Sequence, residues 1–321
     1  MANNIDPALK RAVILKAAMS AFKHRLVSLG LFSTVFKDIP LEGSNDIEVP
    51  YYPLVTAASK DYNGTYEFDE GDLESKKITV NKRKYQSLTY TSEEKARQPY
   101  FDPEQLGRLK GAKLAEDVLC DILSCVTAEN FGAAAVSANA DEFDADNVID
   151  LETACDESDW PDAMRGLIIK SGYLGNLKKN IVSSGGEGNF GFSPIARNLP
   201  DLFGFKLSKF NRIPNSAEKL SGFAVYPSAI LVALSPVTPA AEVRRALSSY
   251  DTYTDPETNL TLEYRAWGDP DTDSAKAIIE CNYGYAPGEK PHSKESAPPT
   301  NYYEFANTYR GYPRQKAQGR S

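Results

Sequence analysis

The chain has 321 residues, of which 41% are hydrophobic and 25% are charged, and its formal net charge is −8. That apolar content is typical of a folded protein and too high for a disordered one, and the length allows roughly two domains at ~150 residues each. The acidic balance disfavours a dedicated nucleic-acid-binding domain, which is usually basic. It leaves open a protein that encloses nucleic acid without binding it tightly.

The N-terminal region is predicted to begin with a helix. Asp6 and Pro7 suit the N-cap and the first helical position, and Leu9, Val13 and Ala17 follow at helical spacing. The sequence therefore predicts an amphipathic helix at the start of the chain, before an irregular stretch.

Residues 47–92 are predicted to form a long, polar hairpin. Ile47, Val49 and Tyr51 alternate as in a strand, and Asn63-Gly64 is a strong hairpin-turn signal. An acidic stretch and then a basic one follow the turn. These charges either pair across the strands of one hairpin, which contributes ~0.2–1 kcal/mol per pair, or dock the hairpin electrostatically on a neighbouring subunit.

Residues 102–126 are predicted to form a long amphipathic helix. Asp102 and Pro103 suit its N-cap and first position, and 25 residues span roughly 37 Å at 1.5 Å per residue. Its apolar residues recur at helical spacing. The residues expected in the core are Leu106, Leu109, Val118, Leu119 and Ile122.

The segment 141–162 is acidic and contains no basic residue. A calcium loop requires Gly at its sixth position and Glu at its twelfth, and counting from Asp144 these positions hold Ile149 and Cys155. We therefore predict no metal site, and a solvated helix over residues 147–160 instead.

Catalytic and cofactor motifs are missing from the sequence. Its two histidines, His24 and His292, neighbour no nucleophile motif and no metal-ligand spacing. Residues 186–191 match Gly-x-Gly-x-x-Gly, but Pro194 follows where a dinucleotide site needs a helix. We expect no catalytic residue and no cofactor, and four reduced, buried thiols at Cys120, Cys125, Cys155 and Cys281.

In chain order, these features resemble the Hong Kong 97-type major capsid proteins of tailed bacteriophages. The resemblance is carried by residues 77–82 as the return strand of an extended loop, by the helix 102–126 as a spine helix, by Arg165-Gly166-Leu167-Ile168-Ile169 as an Arg-led strand, by residues 213–230 as a late hairpin, and by 262–265 with 278–284 as returning strands. It spans nearly the whole chain as an order of features.

The resemblance implies an α+β fold of the Hong Kong 97 type. The implied units are an N-terminal arm (1–46), an extended loop (47–92), a peripheral domain with the spine helix (93–140), an axial domain (141–239), returning strands of the peripheral domain (240–290) and a C-terminal tail (291–321). It also implies inter-subunit contacts in the extended loop, at Asn63, Gly64, Asp69, Glu70, Asp72, Lys76, Lys77, Lys82, Arg83 and Lys84.

The function implied is structural: self-assembly, through hexamers and pentamers, into an icosahedral shell that encloses double-stranded DNA in the virion, after assembly in the cytoplasm of the bacterial host. The implied partners are a separate scaffolding protein, a portal protein and in some cases a decoration protein, with the DNA bound without sequence specificity. No membrane association is expected, since the apolar run 26–36 is too short to cross a ~30 Å hydrocarbon core. An encapsulin-type bacterial compartment shell remains an alternative, as does an enzyme or ligand-binding domain.

Overall fold

The structure is a computed structural model that describes residues 7–26, 28–32, 35–36, 46–51, 74–91, 103–131, 134–157, 160, 164–183, 201–214, 220–227, 229–256, 258, 260–269, 271 and 274–288. No helix in these ranges is both long enough and apolar enough to span a membrane. The residues in these ranges pack into two large hydrophobic cores and a smaller one.

Two helices form one layer of the first core. Helix α1 is Pro7–Arg25, and after the short helix α2, Leu29–Phe32, the long helix α3 covers Pro103–Ile122 and ends in a 3₁₀ turn, Leu123–Cys125. Proline at the first position of α1 and of α3 agrees with the predicted helix starts. The two helices pack side by side, and Ala18 and Phe22 of α1 are fully buried there.

Two glycines set the close approach of these helices. A Cβ atom at Gly107 of α3 would lie 2.5 Å from the carbonyl oxygen of Ile14, and one at Gly111 would collide with the carbonyl oxygen of Ala18. The backbone of α1 therefore lies directly on the glycine face of α3, a spacing that no larger side chain permits.

A six-stranded sheet forms the other layer of the first core. Its strands are β1 (Val35–Phe36), β4 (Lys82–Thr91), β9 (Ile230–Leu234), β10 (Ser249–Thr254), β11 (Thr261–Asp269) and β12 (Ser274–Pro287). The main order is β1-β9-β12-β11-β10. Strand β12 is long enough to pair with β4 along most of its length and with β9 at its end, both antiparallel.

The second core lies around a four-stranded sheet. Its strands β6 (Asp201–Leu202), β7 (Phe205–Lys209), β5 (Gly166–Ile169) and β8 (Gly222–Val225) are in that order. Helices α5 (Ala145–Glu157) and α6 (Ser171–Ser183) pack on this sheet. Two short helices, α4 (Ala128–Phe131) and the exposed α7 (Ala241–Ala246), are the other elements described outside the hairpin. Arg165, which leads β5, is buried and pairs with Asp156 at 2.7 Å.

The structure corrects two of the predicted strand pairings. Helix α1, which lies within the predicted N-terminal arm of residues 1–46, packs in the first core. Strand β4 pairs with β12 in the large sheet, so residues 82–91 are not part of the hairpin. Strands β8 and β9 do not form the predicted late hairpin, because β8 pairs with β5 and β9 with β12; β9 therefore lies in the large sheet rather than in an axial domain ending at residue 239.

A buried polar network lies on the face of the large sheet opposite α3. Glu263 and Glu280 are directly opposite each other on β11 and β12, and each is only 1% exposed. Arg265 lies 3.1 Å from Glu263 and 2.6 Å from Glu280, although its Nε makes no hydrogen bond to that second carboxylate. Glu263 also accepts hydrogen bonds from the backbone N–H of Val237 and from the Tyr250 hydroxyl.

This network predicts that removing the charge of Glu280 increases the stability of the protein in a pH-dependent way. Burial raises the pKa of Glu280, and neighbouring Glu263 raises it further against the opposing effect of Arg265. Because the folded-state pKa lies above the unfolded value of ~4.3, the stability contributed by Glu280 is present at low pH and lost as the pH rises through the folded-state pKa. We expect Glu280→Gln to raise the melting temperature at pH 8 relative to wild type, with the difference shrinking towards pH 4.

Melting curves at several pH values test this expectation. Glu104→Gln is the control, since the Glu104 side chain is 50% exposed and should give no pH-dependent difference. A Glu280→Gln protein that loses stability relative to wild type as the pH rises would contradict the argument.

Candidate functional site

The hairpin base consists of β2, Asp46–Tyr51, and β3, Glu74–Thr79, paired antiparallel. Ile47, Val49 and Ile78 are buried and pack against Leu231 and Ala233 of β9. The alternation that predicted the strand therefore places one face of the hairpin base on the large sheet and the other towards solvent.

Charges at the hairpin base pair within the hairpin. The ammonium of Lys77 lies 2.6 Å from Asp46, and the Thr79 hydroxyl donates to the same carboxylate at 2.6 Å. The hydrogen bond to Asp46 raises the pKa of Lys77. Of the two interpretations of these charges, pairing within the hairpin holds for Lys77, while Lys76 is half-buried opposite Val49.

The chain then turns at Val80-Asn81 into β4, where a polar group that we call the Lys82 cluster joins three elements. Its members are Lys82 of β4, Asp121 and Ser124 at the end of α3, and Tyr283 and Tyr285 of β12. Lys82 lies 3.1 Å from Asp121 and donates to the Tyr285 hydroxyl at 2.5 Å, with its ammonium 4.2 Å from the ring centre. The Tyr283 hydroxyl donates to Asp121 at 2.8 Å, and Ser124 lies 3.1 Å from the Tyr285 hydroxyl.

The surroundings of this cluster favour a protonated Lys82 and a protonated Tyr283. Burial lowers the pKa of Lys82, but the hydrogen bonds with Tyr285 and Asp121 outweigh it, so the pKa is raised overall. Burial, together with the bond to Asp121, raises the pKa of Tyr283, which keeps its hydroxyl a donor. The cluster can therefore fix where the hairpin leaves the body, because it ties the start of β4 to both α3 and β12.

The remaining basic residues of this region differ in their contacts. Arg83 donates to Asn282 at 2.7 Å and lies 3.9 Å from Glu280, so it too is paired within the chain. Lys84 and Tyr85 are exposed, the latter by 60%. The predicted contact residues Asn63, Gly64, Asp69, Glu70 and Asp72 lie outside the described residues.

Sequence reasoning missed the partners of Lys82. Asp121 lies on α3 between buried Val118 and Ile122, and an acid beside an apolar stripe is the signal that could have indicated a buried partner. Tyr283 and Tyr285 lie two apart on β12, so they point to the same face.

The buried residues of α3 differ from the predicted ones near the start of the helix. Val118, Leu119 and Ile122 are each 1% exposed, and Leu106 is partly buried, but Leu109 is 70% exposed, so its assignment to the core is wrong. At 3.6 residues per turn, a residue two positions from Gly107 and two from Gly111 lies on the opposite side of the helix. The face of α3 that packs against α1 includes those two glycines. A prediction based only on large apolar side chains does not include them.

The four cysteines are free thiols. Cys125, Cys155 and Cys281 are buried, whereas Cys120 is only half-buried, contrary to expectation. Burial raises the pKa of Cys125 to about 12, so this thiol stays protonated and unreactive near neutral pH.

The Lys82 cluster yields a prediction about stability. Asp121→Ala should leave the buried Tyr283 hydroxyl without its acceptor and Lys82 without its counter-ion, which we expect to cost about 2 kcal/mol. Tyr283→Phe removes the hydroxyl itself, so no buried donor is left without an acceptor, and it should cost only ~1 kcal/mol. Lys82→Met should cost less than ~1 kcal/mol because the Lys82 side chain is 39% exposed. Urea denaturation measures all three free energies of unfolding, and equal losses for Asp121→Ala and Tyr283→Phe would show that the carboxylate does not organise the cluster.

Comparisons with known proteins address the fold. No protein-family model and no curated protein matches the sequence. The capsid structure of cyanophage P-SCSP1u matches with a TM-score of 0.58 at 10% identity, covering 89% of this chain and 88% of that one. The chain has the Hong Kong 97-type capsid fold. The asymmetric unit of the bacteriophage PhiM1 mature capsid (TM-score 0.52, 13% identity, 88% and 86% covered) and a structure from Microbacterium phage Oxtober96 (0.52, 11%, 89% and 91%) match as well.

Proposed function

We propose that this chain is the major capsid protein of a tailed bacteriophage. Its copies would form hexamers and pentamers that close into an icosahedral shell around a double-stranded DNA genome. The proposal is supported chiefly by one observation, the match to a phage capsid structure over 89% of this chain and 88% of the other. The role is structural rather than catalytic, and it needs no cofactor.

The described surface supports assembly through several small contacts. Lys84 and Tyr85 lie exposed on β4, and Lys76 lies on the hairpin base from which residues 52–73 continue. We assign Asn63, Gly64, Asp69, Glu70 and Asp72 of that continuation to contacts with neighbouring copies. Each contact of this kind is worth on the order of 1 kcal/mol, but contacts repeated over a closed shell add up.

The charge of the chain suits enclosure of DNA without tight binding. At a net charge of −8, the protein as a whole repels phosphate, whereas a binding surface would neutralise phosphates with Lys and Arg. The partners we propose are a separate scaffolding protein, a portal protein and, in some shells, a decoration protein. The mature protein would be located in the virion after assembly in the cytoplasm of the bacterial host.

Electron microscopy of the purified protein, alone and with a phage lysate as the source of scaffolding protein, tests the proposal. Closed shells or capsomer-like rings are expected. A protein that stays monomeric at high concentration in both preparations would overturn the proposal, and shells filled with a protein cargo instead of DNA would favour a bacterial compartment.

A matched variant separates assembly from folding. Replacing residues 52–73 by Asn-Gly keeps β2 and β3 and closes them with a tight turn. We expect this variant to fold, with a circular dichroism spectrum and a melting temperature like those of the unassembled wild-type protein, but to form no shells. Normal shells from this variant would show that the extended loop is not required.

A further inference from the structure

Helix α5 has a charge pattern that is unfavourable for the isolated chain. The stretch 141–157, which contains the helix, has acidic residues and no Lys or Arg. Asp146 and Asp150 are both exposed and lie one turn apart, where like charges repel each other. Glu157 is the last residue of the helix, where the helix dipole favours a basic residue instead. Basic residues of a second molecule would relieve this repulsion.

An aliphatic side chain lies within the same acidic surface. Ile149 is 41% exposed, and it lies three residues after Asp146 and directly before Asp150. An apolar centre with a polar border is the usual composition of a protein contact surface. Asp146, Ile149, Asp150 and Glu157 together are named the α5 surface below.

Helix α7 receives little support from its own chain. It has 6 residues and none of them is buried, and residues 240–246 are all exposed. Short helices are marginal in water, because most helical stability comes from packing an apolar face. Val243 is nevertheless 49% exposed. A second surface packed on Val243 would stabilise this helix.

The side of α7 that carries Val243 continues into a polar cleft of about 470 Å³. Arg244 and Leu247 line this cleft together with Lys16 of α1, and Val243 is four residues before Leu247, on the same side of the helix. The cleft is lined by two bases, Lys16 and Arg244, and by one acid, Asp251. Lys16, Val243, Arg244 and Leu247 together are named the α7 surface.

We propose that the α5 surface of one copy binds the α7 surface of the next copy, with Ile149 packed against Val243 and Asp150 paired with Arg244. This inference rests on the proposed function, because it identifies one of the contacts that hold neighbouring copies together in a capsomer. Both surfaces are exposed within the single chain, so they do not cover each other there.

The chain itself supplies both halves of this contact. Ile149-Asp150 and Val243-Arg244 each place an aliphatic side chain beside a charged one, and the two charges are opposite. Because the two surfaces differ, the contact is head-to-tail, and such contacts close into a ring when they repeat around an axis. A nucleic acid would match only the α7 surface and would leave the repulsion within α5 unrelieved.

Exchange of the two charges tests the contact. Asp150→Arg places a base opposite Arg244, and Arg244→Asp places an acid opposite Asp150. Each variant should raise the protein concentration needed for shell assembly about tenfold or more, because like charges opposed across an interface are costly. The chain with both substitutions has opposite charges again and should assemble within about threefold of the wild-type concentration.

Two outcomes of the charge exchange would overturn the proposal. The first is normal assembly of both single variants, and the second is a double variant that assembles no better than the single ones. Arg245→Asp is the matched control. Arg245 is the next residue of α7 and is equally exposed, but it is not among the residues that line the cleft. This variant should assemble like the wild type, and a defect equal to that of Arg244→Asp would contradict the pairing.

Melting curves of the unassembled variants separate binding from folding. Asp150→Arg removes the repulsion between Asp150 and Asp146, so its melting temperature should equal or exceed that of the wild type, although it assembles less well. A lower melting temperature together with the assembly defect would show that Asp150 acts in folding and would overturn its role in the contact.

The wild-type protein separates this inference from the proposed function. If it forms no shells or rings, alone or with the phage lysate, the proposed function fails and this contact fails with it. If it forms shells and both single variants do so at the same protein concentration, the shell function stands and only the contact between α5 and α7 is overturned.

Discussion

Exchange of Leu119 for aspartate is expected to prevent folding of the whole chain. Leu119 is 1% exposed in the core between α3 and the large sheet. Losing a buried leucine costs ~2–5 kcal/mol, and an unpaired buried carboxylate adds several kcal/mol more, against a total stability of about 5–15 kcal/mol. We expect the protein to be insoluble or to lack the far-ultraviolet circular dichroism of the wild type.

Leu109 provides the matched control for this experiment. It lies on the same helix and receives the same substitution, but it is 70% exposed. Leu109→Asp should change the free energy of unfolding by no more than ~0.5 kcal/mol. A folded Leu119→Asp protein, or a Leu109→Asp protein equally damaged, would contradict the placement of the helix face.

Local signals in the sequence were sufficient to predict most elements. Asp6-Pro7 and Asp102-Pro103 predicted helices that begin at Pro7 and Pro103, because capping and first-turn preferences depend only on neighbouring residues. The returning strands expected at residues 262–265 and 278–284 lie within β11 and β12, which pair with each other, since a short connection leaves antiparallel pairing as the direct solution.

Pairing between distant strands could not be predicted in the same way. Leu88 and Tyr90 alternate as in a strand, but this local pattern is the same whether the partner is the preceding hairpin strand or β12. Strand β4 pairs with β12, with Lys82 opposite Tyr283, and Lys82 also contacts Asp121 of α3. These contacts join residues that are far apart in the sequence. Lys82 and Arg83 were predicted as contacts with neighbouring copies, and local sequence patterns did not indicate their partners within the chain, Asp121 and Asn282.

The helix interface escaped prediction for a different reason. Hydrophobic periodicity counts large apolar side chains, whereas the contact of α1 with α3 depends on the absence of side chains at Gly107 and Gly111. Counting Leu109 as core therefore placed one predicted core residue on the side of the helix opposite Gly107 and Gly111, while Val118, Leu119 and Ile122 were placed correctly. A Gly-x-x-x-Gly spacing within a long amphipathic helix is the signal that would have indicated close helix packing.

Replacing Gly111 by alanine is expected to destabilise the protein even though alanine is the better helix former. Helix propensity alone favours alanine by ~1 kcal/mol, but the new Cβ would collide with the Ala18 carbonyl oxygen, which is backbone and cannot rotate away. Forcing the helices apart costs more than the usual 1–3 kcal/mol of overpacking, so we expect a net loss of about 2 kcal/mol or more. Gly175 of α6 has open space around its Cα, and Gly175→Ala should instead stabilise the protein by ~0.5–1 kcal/mol. Thermal and urea denaturation of the two variants should therefore give shifts of opposite sign, and a stabilised Gly111→Ala protein would show that α1 and α3 do not touch through their backbones.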